Sequence, residues 1–163
     1  MFNHWKQQKQ VLAIAVALST MFFVGVLNAA EFRSVDKPPA VLYDAPSQKA
    51  RGLFIYGAGT PLEVLSSIEG WHKVRDKEGS IGWVERAVLA DRRILQVRVA
   101  KADAREQATD AAPIAFEAEQ DDLLFLDEPA RSPAEAEFPG WVRVQNVQTN
   151  RTGYIRIDRV FGL

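Results

Sequence analysis

The chain has 163 residues, room for one or two small domains, and its 47% hydrophobic and 25% charged residues describe a globular body rather than a disordered one. It has no cysteine, which excludes disulfides, thiolate metal sites and the lipid-attachment cysteine of a bacterial lipoprotein. The formal net charge is −1, and the first thirty residues hold Lys6 and Lys9 but no acid, so the rest is mildly acidic and lacks the basic surplus that drives nucleic-acid binding.

Residues 1–30 read as an export signal. Lys6 and Lys9 form a positive start, Val11 to Leu27 is apolar and uncharged, and Asn28-Ala29-Ala30 supplies small residues ahead of Glu31 and Arg33. The competing reading is an uncleaved anchor, but the apolar run is short against the roughly 20 residues of a spanning helix. Cleavage after Ala29 or Ala30 is therefore favoured, with no stable membrane insertion afterwards. Both readings place the body outside the cytoplasm, periplasmic or secreted.

From residue 31 onward the pattern is β throughout, and it repeats. Gly59-Thr60-Pro61-Leu62-Glu63-Val64-Leu65 has the pattern of Gln120-Asp121-Asp122-Leu123-Leu124-Phe125-Leu126. Gly70-Trp71-His72-Lys73-Val74-Arg75 is echoed by Gly140-Trp141-Val142-Arg143-Val144-Gln145, and Gly82-Trp83-Val84 by Gly153-Tyr154-Ile155. One supersecondary plan used twice explains that fixed order. Trp141 to Gln145 and Tyr154 to Ile157 alternate apolar and polar residues, as half-buried strands do. Asp76 to Ser80, which includes Gly79, is a hairpin turn between strands, and Asn146 to Thr152 is its counterpart. Asp127 to Pro139, rich in Pro, Ala and Glu, is an insertion in the second copy that reads as a solvated loop. Arg93 to Val99 ends the first module and begins the second, giving modules at 31–95 and 96–163. So short a linker implies modules packed side by side.

Val41-Leu42-Tyr43-Asp44-Ala45-Pro46-Ser47, followed by the Gly59, Gly70 and Gly82 segments above, resembles the bacterial SH3 domain family. The resemblance covers residues 31–95 closely and 96–163 more loosely, since Val97 to Ala104 lacks the Pro-Ser turn. It implies an all-β fold of two tandem SH3-like small barrels after a cleaved signal peptide, in a family found in secreted and periplasmic proteins. It implies fold more firmly than function.

Strand parity sorts the side chains. Val142 and Val144 share one face, which leaves Trp141 and Arg143 on the other; Ile155 and Ile157 likewise leave Tyr154 with Arg156. A face carrying Arg143 and Arg156 is not the core. Carried to the first copy, parity puts Val74 and Val84 inward and Trp71 and Trp83 outward. The expected core is Val64, Val74 and Val84 in the first copy, with Leu124 or Phe125, Val144 and Ile155 in the second. Each module then shows an outward aromatic pair, extended in the first by Tyr43 and Tyr56. In the family it resembles, such a cluster lines the ligand groove, and flat aromatics suit peptides or sugars. The candidate ligand-binding residues are thus Tyr43, Tyr56, Trp71, Trp83, Trp141 and Tyr154. A second reading stays open, in which these aromatics fill the interface between the modules.

Nothing else rises to a site. His72, unique after residue 30, matches Val142 by parity and points inward or to a barrel end, and a lone histidine makes no metal site. Gly57-Ala58-Gly59 precedes Pro61 with no helix behind it and reads as a turn. The acids Asp127, Glu128, Glu135 and Glu137 lack calcium-loop spacing. With no cysteine, no second histidine in the body and no nucleophile elbow, catalysis, cofactors and metals are not expected. The expected function is an exported, non-catalytic binding module for cell-envelope material, either a peptidoglycan peptide or an extended peptide of an envelope protein. The alternative is a structural adaptor whose aromatics are internal. A reader of Pro-rich peptides draws on Leu42-Tyr43-Asp44 but lacks that family's second tyrosine, since Ala45 stands there.

Overall fold

A computed structural model describes residues 30–127 and 137–163. The export signal and most of the insertion lie outside the described residues. The described chain is all-β, with 14 strands in two seven-stranded antiparallel sheets and only short 3-10 turns between them.

The first sheet holds β1 (Glu31–Val35), β2 (Ala40–Tyr43), β3 (Gly52–Tyr56), β4 (Pro61–Ile68), β5 (Trp71–Arg75), β6 (Ile81–Glu85) and β7 (Leu89–Ala90). The second holds β8 (Ile94–Val97), β9 (Lys101–Arg105), β10 (Ile114–Glu119), β11 (Leu123–Leu126), β12 (Trp141–Asn146), β13 (Thr152–Arg156) and β14 (Val160–Phe161). Their spatial orders are β3-β2-β6-β5-β4-β1-β7 and β10-β9-β13-β12-β11-β8-β14. Adding seven to each strand of the first order yields the second, so the repeated sequence folds twice into one topology. The sheets divide at residues 91–93. Ile94 and Leu95 are therefore the first residues of the second sheet, next to the expected module boundary at 95/96.

Registers match residue for residue. His72 pairs with Val84 and Val74 with Gly82 on β5–β6; Val142 pairs with Ile155 and Val144 with Gly153 on β12–β13. Gly70 and Gly140, ahead of β5 and β12, both have positive φ, 77° and 81°, a conformation that costs glycine little because it has no Cβ. The hairpin turns are capped alike. Asp76 Oδ1 accepts from the backbone N–H groups of Glu78 and Ser80, and Asn146 Oδ1 accepts from those of Gln148 and Thr149. Both residues are buried, which strengthens these turn-closing bonds.

Parity places the core as the sequence suggests. Val74, Val84, Leu124, Val144 and Ile155 are fully buried. Of the Leu124/Phe125 pair it is Leu124 that enters the core, and Val64 packs at the core's margin. Each module has its own apolar cluster: Val35, Ala40, Leu42, Leu62, Val74 and Val84 in the first, and a larger one around Leu95, Leu124 and Val142 in the second.

The modules touch. The rings of Phe32 and Phe161 meet edge to face at 5.1 Å, a favoured aromatic geometry, and Lys77 Nζ lies 2.9 Å from Asp121 Oδ1. A Cβ at Gly59 would come within 2.8 Å of Leu123, and one at Gly162 within 3.2 Å of Pro61. None of the six candidate aromatics takes part in these contacts.

Candidate functional site

Three strands of the first module bring an aromatic cluster together on the outer side of its sheet. Tyr43 at the end of β2 pairs with Trp83 on β6, which in turn pairs with Lys73 on β5. The Tyr43 and Trp71 rings meet at 5.6 Å and 85°. All three aromatics are half-buried, seated against the sheet with part of each ring in solvent. One side of the cluster is closed by Glu85, opposite Trp71, whose Oε1 accepts from Gln48 Nε2 at 2.9 Å. The loop carrying Gln48 is held by its own bonds: the Asp44 N–H donates to the Arg51 carbonyl, and Asp44 Oδ1 accepts from the Arg51 N–H. The result is a preformed apolar shelf with a carboxylate at its margin. Such a shelf suits an extended ligand with an apolar stretch and a cationic group.

The second module turns the same positions into something closed and basic. By register, Arg105 stands for Tyr43, Tyr154 for Trp83, Trp141 for Trp71 and Arg156 for Glu85. Trp141 is only 7% exposed, which corrects the expectation of an outward ring; the Arg156 guanidinium lies over it, 5.4 Å from the ring centroid. Parity identified the correct face, but the cover comes from a neighbouring strand's long side chain. Tyr154 is half-buried and meets Phe138 edge to face at 5.4 Å. Arg105 is anchored to Asp103 and to the Ala112 carbonyl.

Tyr56 also departs from expectation. It packs against the first core, and its hydroxyl donates to Asp76 Oδ2 at 2.8 Å. Burial, then the Asp76 bond and charge, push its hydroxyl far above the usual tyrosine range. Tyr56 thus braces the β5–β6 turn through the buried Asp76 and is no part of the shelf. Tyr56→Phe should lower stability by about 1–2 kcal/mol, the cost of leaving a buried acceptor short of a donor, without altering ligand binding. Urea denaturation alongside a binding assay checks both halves.

His72 sits on the inward face of β5, 5% exposed, with Nδ1 2.7 Å from Ser67 Oγ. Burial and then the Arg86 charge hold its pKa below the ordinary histidine value; Arg33 acts in the same direction and Glu31 against it. Folding therefore favours the neutral ring. That contribution is present in full above the unfolded value of about 6.5 and is lost as pH falls toward the folded one. The stability of the wild type should drop across that acid interval more steeply than that of His72→Val, as melting curves at several pH values will read.

Among the described residues no three His, Cys, Asp or Glu side chains gather into a metal-sized cluster, and no helix is long and apolar enough to cross a membrane. No curated protein matches the chain. Solved structures similar to it include NlpC2 of Trichomonas vaginalis, at 14% identity over 82% of this chain and 48% of that one, with a TM-score of 0.33. NlpC1 of the same organism shares 14% identity over 85% and 50%, with a TM-score of 0.34. An NlpC/P60 family protein of Bacillus cereus ATCC 10987 shares 14% over 80% and 56%, also with a TM-score of 0.34. The chain spans about half the length of each. The model of the bacterial SH3 domain family matches residues 36–91. That stretch runs from β2 to β7, so the whole Tyr43–Trp71–Trp83 shelf lies within the part of the chain that resembles a bacterial SH3 domain.

Proposed function

We propose that the protein is an exported, non-catalytic binding module that recognises cell-envelope material through the outer face of its first module. The ligand is an extended peptide, either the stem peptide of peptidoglycan or a segment of an envelope protein. The observation that carries this reading is the Tyr43–Trp71 pair, with Trp83 beside it, half-open on a rigid sheet. Aromatic rings fixed in this way offer large contact area at little entropic cost, and Glu85 supplies a counter-charge for an amine. The export reading of residues 1–30 and the family of the first module both fit an extracytoplasmic ligand.

The adaptor reading keeps one support, the packed pair of modules. Its aromatic interface, however, runs through Phe32 and Phe161, which leaves Tyr43, Trp71 and Trp83 free for a ligand. Sedimentation of the mature protein with purified sacculi tests the proposal. Saturable co-sedimentation that a soluble stem peptide competes away supports it, and a protein left wholly in the supernatant counts against the peptidoglycan ligand.

A further inference from the structure

The two modules are copies of one fold, so each position in the first has a counterpart that shows what the fold alone requires. At one end of the barrel the copies disagree in chemistry. Arg33 pairs with Leu62 as Leu95 pairs with Leu124, and His72 pairs with Val84 as Val142 pairs with Ile155. Arg86 and Ile157 each open the 3-10 turn after the sixth strand of their module, donating their N–H to the carbonyls of Gly70 and Gly140. In the second module Leu95 and Val142 are fully buried, and Ile157 packs on the same core. In the first, Arg33, His72 and Arg86 line a cavity of about 330 Å³ with Glu31, Ser67 and Leu89. Placing polar groups at positions that an apolar set fills well costs stability, and such sacrifices concentrate at functional sites.

The formal charges at this end balance, Arg33 and Arg86 against Glu31 and Asp91, but both carboxylates gather on Arg33. Arg33 Nε and Nη2 donate to Glu31 Oε1 at 3.0 and 2.8 Å, and Arg33 Nη1 lies 3.4 Å from Asp91. Ser67 occupies His72 Nδ1, so Nε2 is the ring's remaining polar atom. Among the described residues the Arg86 guanidinium has no hydrogen-bond or ion-pair partner. A single planar donor fork is therefore left, beside an imidazole and a leucine wall.

We propose that this end of the first module binds one carboxylate on a residue-sized ligand, the free C-terminus of a peptide. Arg86 is the anchoring charge and His72 Nε2–H a second donor. Guanidinium and carboxylate match in planar, two-point geometry. One guanidinium without a partner matches one carboxylate, and a phosphate dianion would meet the carboxylates of Glu31 and Asp91. Leu89 gives the terminal side chain an apolar surface. The pocket lies on the face of β5 opposite Trp71, so it does not rest on the aromatic shelf.

The test uses the mature protein, residues 30–163, in which His72 is the sole histidine, so its ring signals in NMR are unambiguous. N-acetylalanine should shift them saturably in the millimolar range, and N-acetylalaninamide should not. Arg86→Ile, which installs the second module's residue, should weaken that titration by roughly tenfold or more, the worth of a charged hydrogen bond, with the melting temperature unchanged or raised. Arg86→Lys should retain part of the binding, and Trp71→Ala all of it. Equal shifts from the amide, tighter binding of inorganic phosphate, or an Arg86→Ile titration identical to wild type would each overturn the proposal.

Discussion

Gly82→Ala is expected to destabilise the first module by about 3 kcal/mol, the upper part of the range for overpacking a tight interior. A Cβ there would stand 2.6 Å from the Tyr43 carbonyl oxygen and 2.7 Å from Leu42 Cγ. Neither neighbour can give way cheaply. Leu42 is fully buried in the first core, and the Tyr43 carbonyl belongs to backbone that pairs β2 with β6. Relief comes only by pushing β2 off the sheet, which also carries Tyr43 away from Trp71. Gly153, the register equivalent, is the internal control: its Cβ would meet Ala104, Ala115 and the Arg105 carbonyl at 3.1 Å. Shifts of a few tenths of an ångström suffice there, so Gly153→Ala should cost roughly 1 kcal/mol. Urea unfolding of the two variants decides; a loss at Gly153 as large as that at Gly82 would show that the close approach to Leu42 and Tyr43 is not what keeps position 82 glycine.

Trp71→Ala is expected to cost about tenfold or more in affinity for the proposed envelope ligand, while the fold is largely kept. Truncating a hot-spot tryptophan commonly removes about 2 kcal/mol of binding, because the indole supplies desolvated contact that no neighbour replaces. Its stability cost stays modest, since Trp71 is half-buried, faces away from Val74 and His72, and loses chiefly the edge contact with Tyr43. Trp141→Ala should behave in the opposite way. That ring is almost wholly covered and lies under Arg156, so its loss should unfold the second module more readily and leave the shelf intact.

The duplication made most of this fold legible in the sequence. Two Gly-Trp segments, followed twelve and thirteen residues on by a Gly-aromatic pair, fix two hairpins, and alternation within them assigns Val74, Val84, Val144 and Ile155 to the interior. What alternation cannot report is what lies above a side chain. Trp141 shares the outward face of its strand with Arg143, yet Arg156 roofs it; Tyr56 is claimed by Asp76 twenty residues away. Which sheet Ile94 and Leu95 join is not legible locally, because they are as fit to close one sheet as to open the next. Phe32 and Phe161 lie at opposite ends of the described chain, with nothing local to announce their contact. The polar barrel end escaped for another reason: Arg33, His72 and Arg86 are scattered over three segments, and only the paired registers set them beside Leu95, Val142 and Ile157.

The most direct test of the shelf as a binding site measures melting temperature and sacculus binding on the same Trp71→Ala protein beside wild type. A melting temperature close to wild type with co-sedimentation reduced about tenfold is the predicted result. A large fall in melting temperature with binding undiminished would contradict it, placing Trp71 in the structural framework instead of at a ligand.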